Sequence, residues 1–407
     1  MNKLHLIPLD ADLSGPTIAD KTAPKGLVFH YADQAKPLAT PWQVAVERAK
    51  MVRKFKLPDG PILDPACGSG IQLAAYCAML GRKGTGIEMH EPTAHAANSN
   101  LRRVAEHGFG DSLLKSNILV SDGTIGDVNQ KYAMLHLDPA RPRNSRTHSL
   151  DEMAPTLPDI FTAWKDSLIE LEKGPAILLD LSPRLDISQQ LEVEEIVESF
   201  WPGIGKTWVW TSRGRGRVDR LSLWIGQLSS PGITRRFVRI PPDIKSKPLV
   251  IEGDYSEISE HRRPPRKGEY VTILDAALVE SGLAHEYISN VIEDESVTWS
   301  ITNGRRPQIH HSSPVSFENQ NQKLLVQSTG RIVKLVHTEL SLNTISHLVD
   351  ASREYGFGKL TLRMKVDPKL QPKLQGSLDR QLASKGGPHS GFVAKQPHDS
   401  MLLLCLE

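Results

Sequence analysis

The most constraining feature of this 407-residue chain is the run at residues 62–70, ILDPACGSG. A short apolar stretch ends at Asp64 and passes through Gly68 and Gly70 into a helix-forming segment. Glycine at these positions lets the backbone approach a ligand that would clash with any β-carbon. A strand that enters a helix through such a loop places the loop at its carboxyl end, where open α/β sheets bind ligands. The sequence therefore predicts a ligand site around this loop.

Apolar strands alternate with helices after this run. The predicted strands are 62–64, 84–88, 118–121, 132–138 and 176–181, and the predicted helices lie near 41–55, 71–80, 92–107, 153–171 and 191–200. Short buried strands separated by helices specify an α/β fold with a doubly wound, mostly parallel sheet and right-handed crossovers. Two further strands, 207–212 and 221–227, are joined by the run RGRGR, which predicts an antiparallel hairpin at the edge of the sheet.

The length indicates more than one domain, since domains usually run about 100–200 residues. Residues 1–40 lack a clear period and predict an irregular arm before a first domain at 41–245. Residues 246–268 are dense in Pro, Lys and Arg, which predicts a linker. A second, smaller α/β domain follows at 269–407. Its predicted helices are 276–282, 342–355 and 370–382, and its predicted strands are 331–337, 359–366, 391–394 and 401–406.

Composition excludes several classes of protein. With 39% hydrophobic and 24% charged residues, the chain is globular rather than disordered or fibrous. No apolar stretch approaches the roughly 18–20 residues that cross a bilayer, so we expect no membrane partner. The three cysteines have no metal-ligand spacing and cannot pair evenly, which predicts neither a disulfide framework nor a zinc site. These features favour a cytoplasmic protein.

A local excess of basic residues stands out against a net charge of only +2. Between residues 201 and 240 there is one acid, Asp219, and there are eight basic residues: Lys206, Arg213, Arg215, Arg217, Arg220, Arg235, Arg236 and Arg239. Such an excess favours contact with the phosphates of a nucleic acid, with Arg213, Arg215 and Arg217 as the candidate residues. The alternative is a solvated hairpin tip.

The glycine loop argues against a dinucleotide cofactor. A G-x-G-x-x-G loop counted from Gly68 requires a third glycine where Leu73 stands, so NAD is disfavoured. The loop instead resembles the first motif of the class I S-adenosylmethionine-dependent methyltransferases, D-P-x-x-G-x-G, which have a Rossmann-like fold. The resemblance implies S-adenosyl-L-methionine as the cofactor. The implied cofactor-binding residues are Asp64, Ala66, Cys67, Gly68, Gly70, Glu88 (on the ribose hydroxyls) and Asp122 (on the adenine amine).

A second motif, LHLDPAR at residues 135–141, also follows a predicted strand. It resembles the D-P-P-Y motif of enzymes that methylate amines of nucleobases. The resemblance implies that Asp138 and the Pro139 carbonyl accept hydrogen bonds from the amine and aim its lone pair at the methyl group. Ala140 and Arg141 replace the second proline and the aromatic residue. Arg141 is the candidate for holding a phosphate or stacking on a base.

Three segments together resemble one family of methyltransferases that carry a C-terminal THUMP-like domain. They are the D-P-A-R motif, the run LSPRLD at 181–186 and the run LDAALVESGL at 274–283, and the resemblance extends from about residue 41 to the C-terminus. Pro142 and Asp180 depart from the D-P-A-R-R and K-x-S-P patterns of that family. The resemblance implies substrate contact by Ser182 and Asp186, with shaping of the turn as the alternative. It also implies structured RNA as the substrate, with tRNA foremost.

The sequence as a whole predicts an enzyme that methylates a base nitrogen of RNA without a metal ion. A methyltransferase acting on DNA or protein is one alternative. A non-catalytic RNA-binding protein with a vestigial cofactor site is another. The pair His310-His311 has no partner at metal-ligand spacing and is expected in a surface loop.

Overall fold

The chain forms two compact units in a computed structural model that describes residues 5–8, 16–32, 40–126, 129–140, 149–243, 245–293, 297–384, 386–396 and 401–407. The first unit comprises Met1–Thr211 and Asp219–Thr234, and the second comprises Ser212–Val218 and Arg235–Glu407. In the part of the chain that is described, no helix is both long and apolar enough to cross a membrane.

A mostly parallel sheet forms the centre of the first unit. Its strands are β1 (His5–Leu6), β4 (Ile62–Asp64), β5 (Gly84–Glu88), β6 (Asn117–Val120), β7 (Met134–Leu137), β8 (Ala176–Leu181), β9 (Lys206–Ser212) and β10 (Arg220–Gly226), and a separate hairpin contains β2 (Thr17–Ala19) and β3 (Val28–His30). The order across the sheet is β1-β6-β5-β4-β7-β8-β10-β9. Strands β6, β5, β4, β7 and β8 are parallel neighbours, and β10 is antiparallel to β8 and β9.

The α-helices in the described part of this unit are α1 (Trp42–Val52), α2 (Ile71–Leu80), α3 (Glu91–Val104), α4 (Leu157–Trp164) and α5 (Ile187–Phe200). Every residue of β4, β7 and β8 is buried, as expected for strands of a doubly wound sheet. The helix predicted at 153–171 is shorter in the structure. Thr156 caps its start by accepting a hydrogen bond from the Asp159 amide, and Pro158 follows in the first turn, so α4 begins at Leu157.

The N-terminal arm is not irregular throughout. Strand β1 pairs with β6, and β2 pairs with β3, because Ile7, Leu27 and Phe29 bury their side chains in the first unit. Asp20 also accepts a hydrogen bond from the Trp42 amide at 2.7 Å, which satisfies a backbone donor at the start of α1. The described segments of the arm are therefore part of the fold.

The second unit is built on a separate seven-stranded sheet. Its strands are β13 (Tyr270–Leu274), β14 (Thr298–Ile301), β15 (Gln308–His311), β16 (Val326–His337), β17 (Phe357–Leu362), β18 (His389–Lys395) and β19 (Met401–Leu406), in the order β14-β15-β13-β16-β19-β18-β17. Two further strands, β11 (Arg235–Arg239) and β12 (Leu249–Gly253), form an antiparallel pair. The helices are α6 (Ala276–Glu280), α7 (Ala284–Val291), α8 (Gln320–Lys323), α9 (Ile345–Arg353) and α10 (Gln371–Ala383).

The boundary and the middle of this unit differ from the sequence prediction. The second unit includes Ser212–Val218 and continues from Arg235 rather than starting after a linker at 246–268, because β12 lies inside that range and pairs with β11. His310 and His311 do not lie in a surface loop. Both are fully buried on β15, where Ser300 Oγ lies 2.7 Å from His310 Nδ1 and Thr272 Oγ1 lies 2.9 Å from His311 Nε2.

Candidate active site

The glycine loop joins β4 to α2, next to the point where the strand order reverses between β5 and β7. Gly68 has a φ of +52° and Gly70 has a φ of +69°, which favours glycine at both positions. No atom lies within 4 Å of the place where a Gly68 Cβ would stand, whereas a Gly70 Cβ would lie 2.9 Å from the Ala97 Cβ on α3. Gly70 therefore permits close packing of helices, and Gly68 is the glycine that leaves space for a ligand.

Two predicted cofactor residues lie at the neighbouring strand ends. Glu88 ends β5, and Asp122 lies just beyond β6, which is the parallel neighbour of β5. Glu88 Oε1 accepts a hydrogen bond from the His90 amide at 2.8 Å. Burial raises the pKa of Glu88, and hydrogen bonds from the His90 and Gly68 amides oppose that shift. Asp122 Oδ1 accepts hydrogen bonds from the amide and the hydroxyl of Thr124 at 2.9 and 2.8 Å.

The other predicted loop residues support the loop itself. The Cys67 amide donates to the Ile87 carbonyl at 3.0 Å, and Ala66 and Cys67 are half-buried. Burial raises the pKa of the Cys67 thiol well above its usual range, and Asp64 and Glu88 add to that shift, so the thiol is neutral. Asp64 is only 1% exposed, and its Oδ2 lies 2.7 Å from His136 Nδ1. The Asp64 carboxylate is directed to the protein interior.

Asp64 is one end of a buried charged chain that consists of Asp64, His136, Asp180 and Arg48. His136 Nε2 lies 3.2 Å from Asp180 Oδ2, and the Arg48 guanidinium pairs with both Asp180 oxygens. The four residues are at most 1% exposed. Arg48 also donates to Gln72 Oε1 at 2.9 Å.

The pKa values of His136 and Asp180 in the buried charged chain shift in the directions that ion pairing requires. Burial opposes the charge on His136, but the Asp64 carboxylate and hydrogen bonds with Asp180 and Asp64 outweigh it and raise the pKa to about 9. Burial likewise opposes the charge on Asp180, yet Arg48 and His136 hold its pKa well below the usual range. His136 therefore carries a proton at neutral pH and donates to both carboxylates, so the chain contains two cations and two anions.

The predicted catalytic residues follow β7. The Asp138 side chain is 41% exposed, and its Oδ2 lies 3.7 Å from Arg220 Nη2. Partial removal from water raises the pKa of Asp138, and the Arg220 cation opposes that shift. Pro139 is buried, and two backbone hydrogen bonds of 3.0 and 2.9 Å join Ala140 to Ala154. Arg141 and Pro142 lie outside the described residues.

The structure gives the predicted substrate residues of the first unit local roles. Asp186 accepts hydrogen bonds from the Gln189 amide and the Ser188 hydroxyl at 2.9 and 2.7 Å, and its own amide donates to Gln189 Oε1 at 3.0 Å, which completes the capping box of α5 with the Gln189 amide bond. These bonds lower the pKa of Asp186. Ser182 is buried, and its Oγ accepts a hydrogen bond from the Arg184 amide at 3.2 Å. The geometry thus fits the alternative role of shaping the turn.

The basic excess at 201–240 is not one continuous surface. Arg235, Arg236 and Arg239 are 6–7% exposed on β11, and Arg236 pairs with Glu252 at 2.6 Å. Lys206 pairs with Glu198 at 2.6 Å. In the loop at 213–217, which belongs to the second unit, Arg215 and Arg217 are exposed and Arg213 is half-buried. The number of exposed arginines is therefore smaller than the sequence count suggests.

A cavity of about 780 Å³ lies elsewhere in the second unit, between α7 and residues 256–261. Trp299, His261 and His285 are among its lining residues, and none of the predicted site residues lines it. The predicted cofactor-binding and catalytic residues lie instead at the carboxyl ends of β4, β5, β6 and β7.

Sequence reasoning missed Arg48 and His136 as members of the candidate site. His136 is the one polar residue inside the apolar strand β7, which is a signal of a buried partner. Arg48 lies among buried positions of α1 and gives a similar signal. Asp180 was notable in the sequence only as a departure from the K-x-S-P pattern.

The arrangement of strands defines the class of fold. A dinucleotide-binding sheet has six parallel strands in the order 3-2-1-4-5-6. Here the order β6-β5-β4-β7-β8-β10-β9 ends in a hairpin whose strand β10 is antiparallel. This mixed α/β arrangement with a large, mostly parallel sheet matches the Rossmann-like fold of the class I methyltransferases.

One solved structure with a TM-score above 0.5 agrees with this class of fold. A protein of Porphyromonas gingivalis W83 assigned as a methyltransferase is similar over 92% of this chain and 82% of its own, with a TM-score of 0.55 and 15% identity. A protein of Listeria monocytogenes assigned as a class I S-adenosylmethionine-dependent methyltransferase matches 53% of this chain and 66% of its own at 14% identity, with a TM-score of 0.34. A Thiobacillus denitrificans methyltransferase in complex with S-adenosyl-L-homocysteine matches 35% and 49% at 19% identity, with a TM-score of 0.25. No protein-family model and no curated protein matches the chain.

Proposed function

We propose that this protein is an S-adenosylmethionine-dependent methyltransferase that modifies a base nitrogen of structured RNA, with tRNA as the foremost substrate. The observation that carries the proposal is the open space at Gly68, beside the carboxylate Glu88 and one strand from the partly exposed carboxylate of Asp138. The second unit, in this proposal, is a THUMP-like RNA-binding domain.

The residues at the strand ends fit the cofactor chemically. The space at Gly68 admits a ligand against the backbone, and Glu88 and Asp122 supply the carboxylates that accept hydrogen bonds from ribose hydroxyls and an adenine amine. Asp64 acts differently from a direct ligand, because its carboxylate bonds to His136 and holds the start of the loop in place. Bound S-adenosylmethionine would supply an electrophilic methyl group on a sulfonium centre.

Asp138 and the Pro139 carbonyl perform the orienting step in this mechanism. Both accept hydrogen bonds from the substrate amine, which turns the nitrogen lone pair away from these oxygens and toward the methyl group. The Arg220 cation at 3.7 Å favours the ionised form of Asp138, which is the form that accepts. Arg141 remains the candidate for contact with the base or a phosphate.

The test is transfer of labelled methyl from S-adenosylmethionine to total RNA from cells that lack this gene, followed by nucleoside mass spectrometry. We expect one labelled nucleoside. Asp138→Ala should lower the rate by about 100-fold or more while binding of the cofactor stays near normal. Asp159→Ala, which removes an exposed carboxylate on α4, is the matched control and should retain activity.

Each other outcome assigns a different function. Full activity of Asp138→Ala would remove the orienting role from this carboxylate. Transfer to DNA or protein instead of RNA would replace the proposed substrate. Tight cofactor binding without transfer to any of these acceptors would favour a non-catalytic RNA-binding protein.

A further inference from the structure

Three arginines converge on one surface of the second unit. Arg305 and Arg306 follow Gly304 in the loop between β14 and β15, and Arg363 directly follows β17. The Arg306 guanidinium donates to the Met364 carbonyl, which places it beside the backbone of Arg363. Arg305, Arg306 and Arg363 are called the arginine cluster here.

The charges of the arginine cluster have no anionic counterpart nearby. Arg306 bonds to a carbonyl and Arg363 Nε bonds to Ser328 Oγ at 2.9 Å, and neutral oxygens do not cancel a positive charge. Across the described ranges, no carboxylate lies within 4.0 Å of these three guanidinium groups. Burial lowers the pKa of Arg306, and the cations of Arg363 and Arg305 lower it further, with no acid acting in the opposite direction. The cluster is thus a concentration of like charge that an anion would relieve.

A second basic loop packs beside the arginine cluster. The Gly216 amide donates to Asp275 Oδ2 at 3.2 Å, and a Cβ at Gly216 would lie 3.8 Å from the Arg305 carbonyl oxygen. Arg215 and Arg217 flank this glycine and are exposed. The Asp275 carboxylate does not neutralise the surface, because it is 3% exposed and also accepts a hydrogen bond from the Ala277 amide as the cap of α6.

We propose that the arginine cluster, with Arg215 and Arg217, binds the phosphodiester backbone of the RNA substrate. This inference rests on the proposed function for the choice of RNA and goes beyond it by naming the surface that holds the substrate. Guanidinium groups match phosphate oxygens in a two-pronged geometry. Arginines on two loops and a strand end suit a chain of phosphates better than one isolated anion, because each can take a different phosphate.

The experiment measures binding of the full chain to a fluorescein-labelled, unmodified tRNA transcript by anisotropy over a series of salt concentrations. The test variant is Arg305→Gln/Arg306→Gln/Arg363→Gln. The matched control is Lys369→Gln/Lys373→Gln/Arg380→Gln, which removes the same charge from exposed positions in and next to α10. Arg305→Gln alone is a second test variant, since Arg305 is exposed and its loss leaves the Arg306 and Arg363 hydrogen bonds in place.

The slope of log K against log salt is negative, and each lost phosphate contact reduces its magnitude by about 0.7–0.9. We therefore expect the magnitude to be smaller by about 2 in the triple variant and by about 1 in Arg305→Gln. The control should keep the wild-type slope. The proposal would be overturned if the test and control variants had equal slopes, or if the wild type did not bind RNA. It would also be overturned if the wild type bound a DNA duplex of the same length as tightly as the tRNA. Methyl transfer measured on the same variants separates the two proposals. If RNA binding depends on the arginine cluster but no methyl group is transferred, only the proposed methyltransferase function is contradicted. If methyl transfer is intact and RNA binding does not depend on the cluster, only the proposed role of the cluster is contradicted.

Discussion

The buried charged chain makes a strong prediction about stability, and Arg48→Met is its sharpest test. Arg48 is fully buried on α1 and bonds to both oxygens of Asp180 and to Gln72. Methionine has a similar length and a similar helix propensity, so the substitution removes the charge and its bonds with little change in volume. Lys50→Met is the matched control, because Lys50 lies on the same helix, is 48% exposed and pairs with Glu47 at 2.6 Å.

The expected magnitudes differ several-fold. Removal of Arg48 leaves the Asp180 carboxylate buried with only the His136 contact at 3.2 Å, and breaking a buried pair in this way costs about 3–5 kcal/mol. The Lys50–Glu47 pair has a half-exposed ammonium and an 11% exposed carboxylate, so solvent screens it more than the fully buried pair and it contributes about 1 kcal/mol. Asp180→Asn should also destabilise the unit. In the double variant with Arg48→Met the loss should be smaller than the sum of the two by about 1–3 kcal/mol, since no unpaired charge remains.

The assay is urea unfolding followed by tryptophan fluorescence. Six of the seven tryptophans belong to the first unit, so the fluorescence reports mainly on the unit that contains the buried charged chain. With a slope of about 1–3 kcal/mol per molar urea, the predicted loss moves the midpoint down by about 1 M or more. If the urea midpoint of Arg48→Met shifts no more than that of Lys50→Met, the claim that the buried charged chain stabilises the first unit is refuted.

Two further predictions use the same protein. Because His136 has a pKa of about 9 in the fold against 6.5 unfolded, its contribution of about 3 kcal/mol is complete below pH 6.5 and is lost as the pH rises through about 9. The urea midpoint should fall over that range in the wild type and not in His136→Gln, and an identical fall in both would contradict the role of His136. Gly68→Ala and Gly81→Ala, at φ of +52° and +65° with nothing within 4 Å, should each cost about 1–2 kcal/mol. Only Gly68→Ala should also weaken S-adenosylmethionine binding, by more than about 10-fold, and calorimetry that shows equal affinities would place the cofactor elsewhere.

Local patterns predicted the elements around the glycine loop closely. Strands β4, β5 and β8 and helix α2 have the predicted bounds, because apolar runs between glycines and prolines leave few alternatives. The middle of the second unit was harder to predict. In β15 Gln308, His310 and His311 are all buried, and polar residues at buried positions look like surface residues in the sequence.

The charge count at 201–240 shows the same limit. Three of its arginines lie on β11 and are buried, and the partner of Arg236 is Glu252, which lies beyond the counted segment. Conversely, the arginine cluster is split between residues 305–306 and residue 363, so no local window shows it. Charge in a sequence predicts a surface only when the folded partners of each group are known.

The charged chain also accounts for the departure at Asp180. Its partners, Arg48 and His136, lie 132 and 44 residues away, so the sequence offered no reason for an acid where the K-x-S-P pattern has a lysine. In the fold, position 180 lies between two buried cations. A lysine there would add a third positive charge at a separation of about 3–4 Å with no water to screen it, whereas an aspartate pairs with both cations and, together with Asp64, balances their charge. The acid at 180 therefore follows from Arg48 and His136, and it supports the start of the glycine loop through His136 and Asp64.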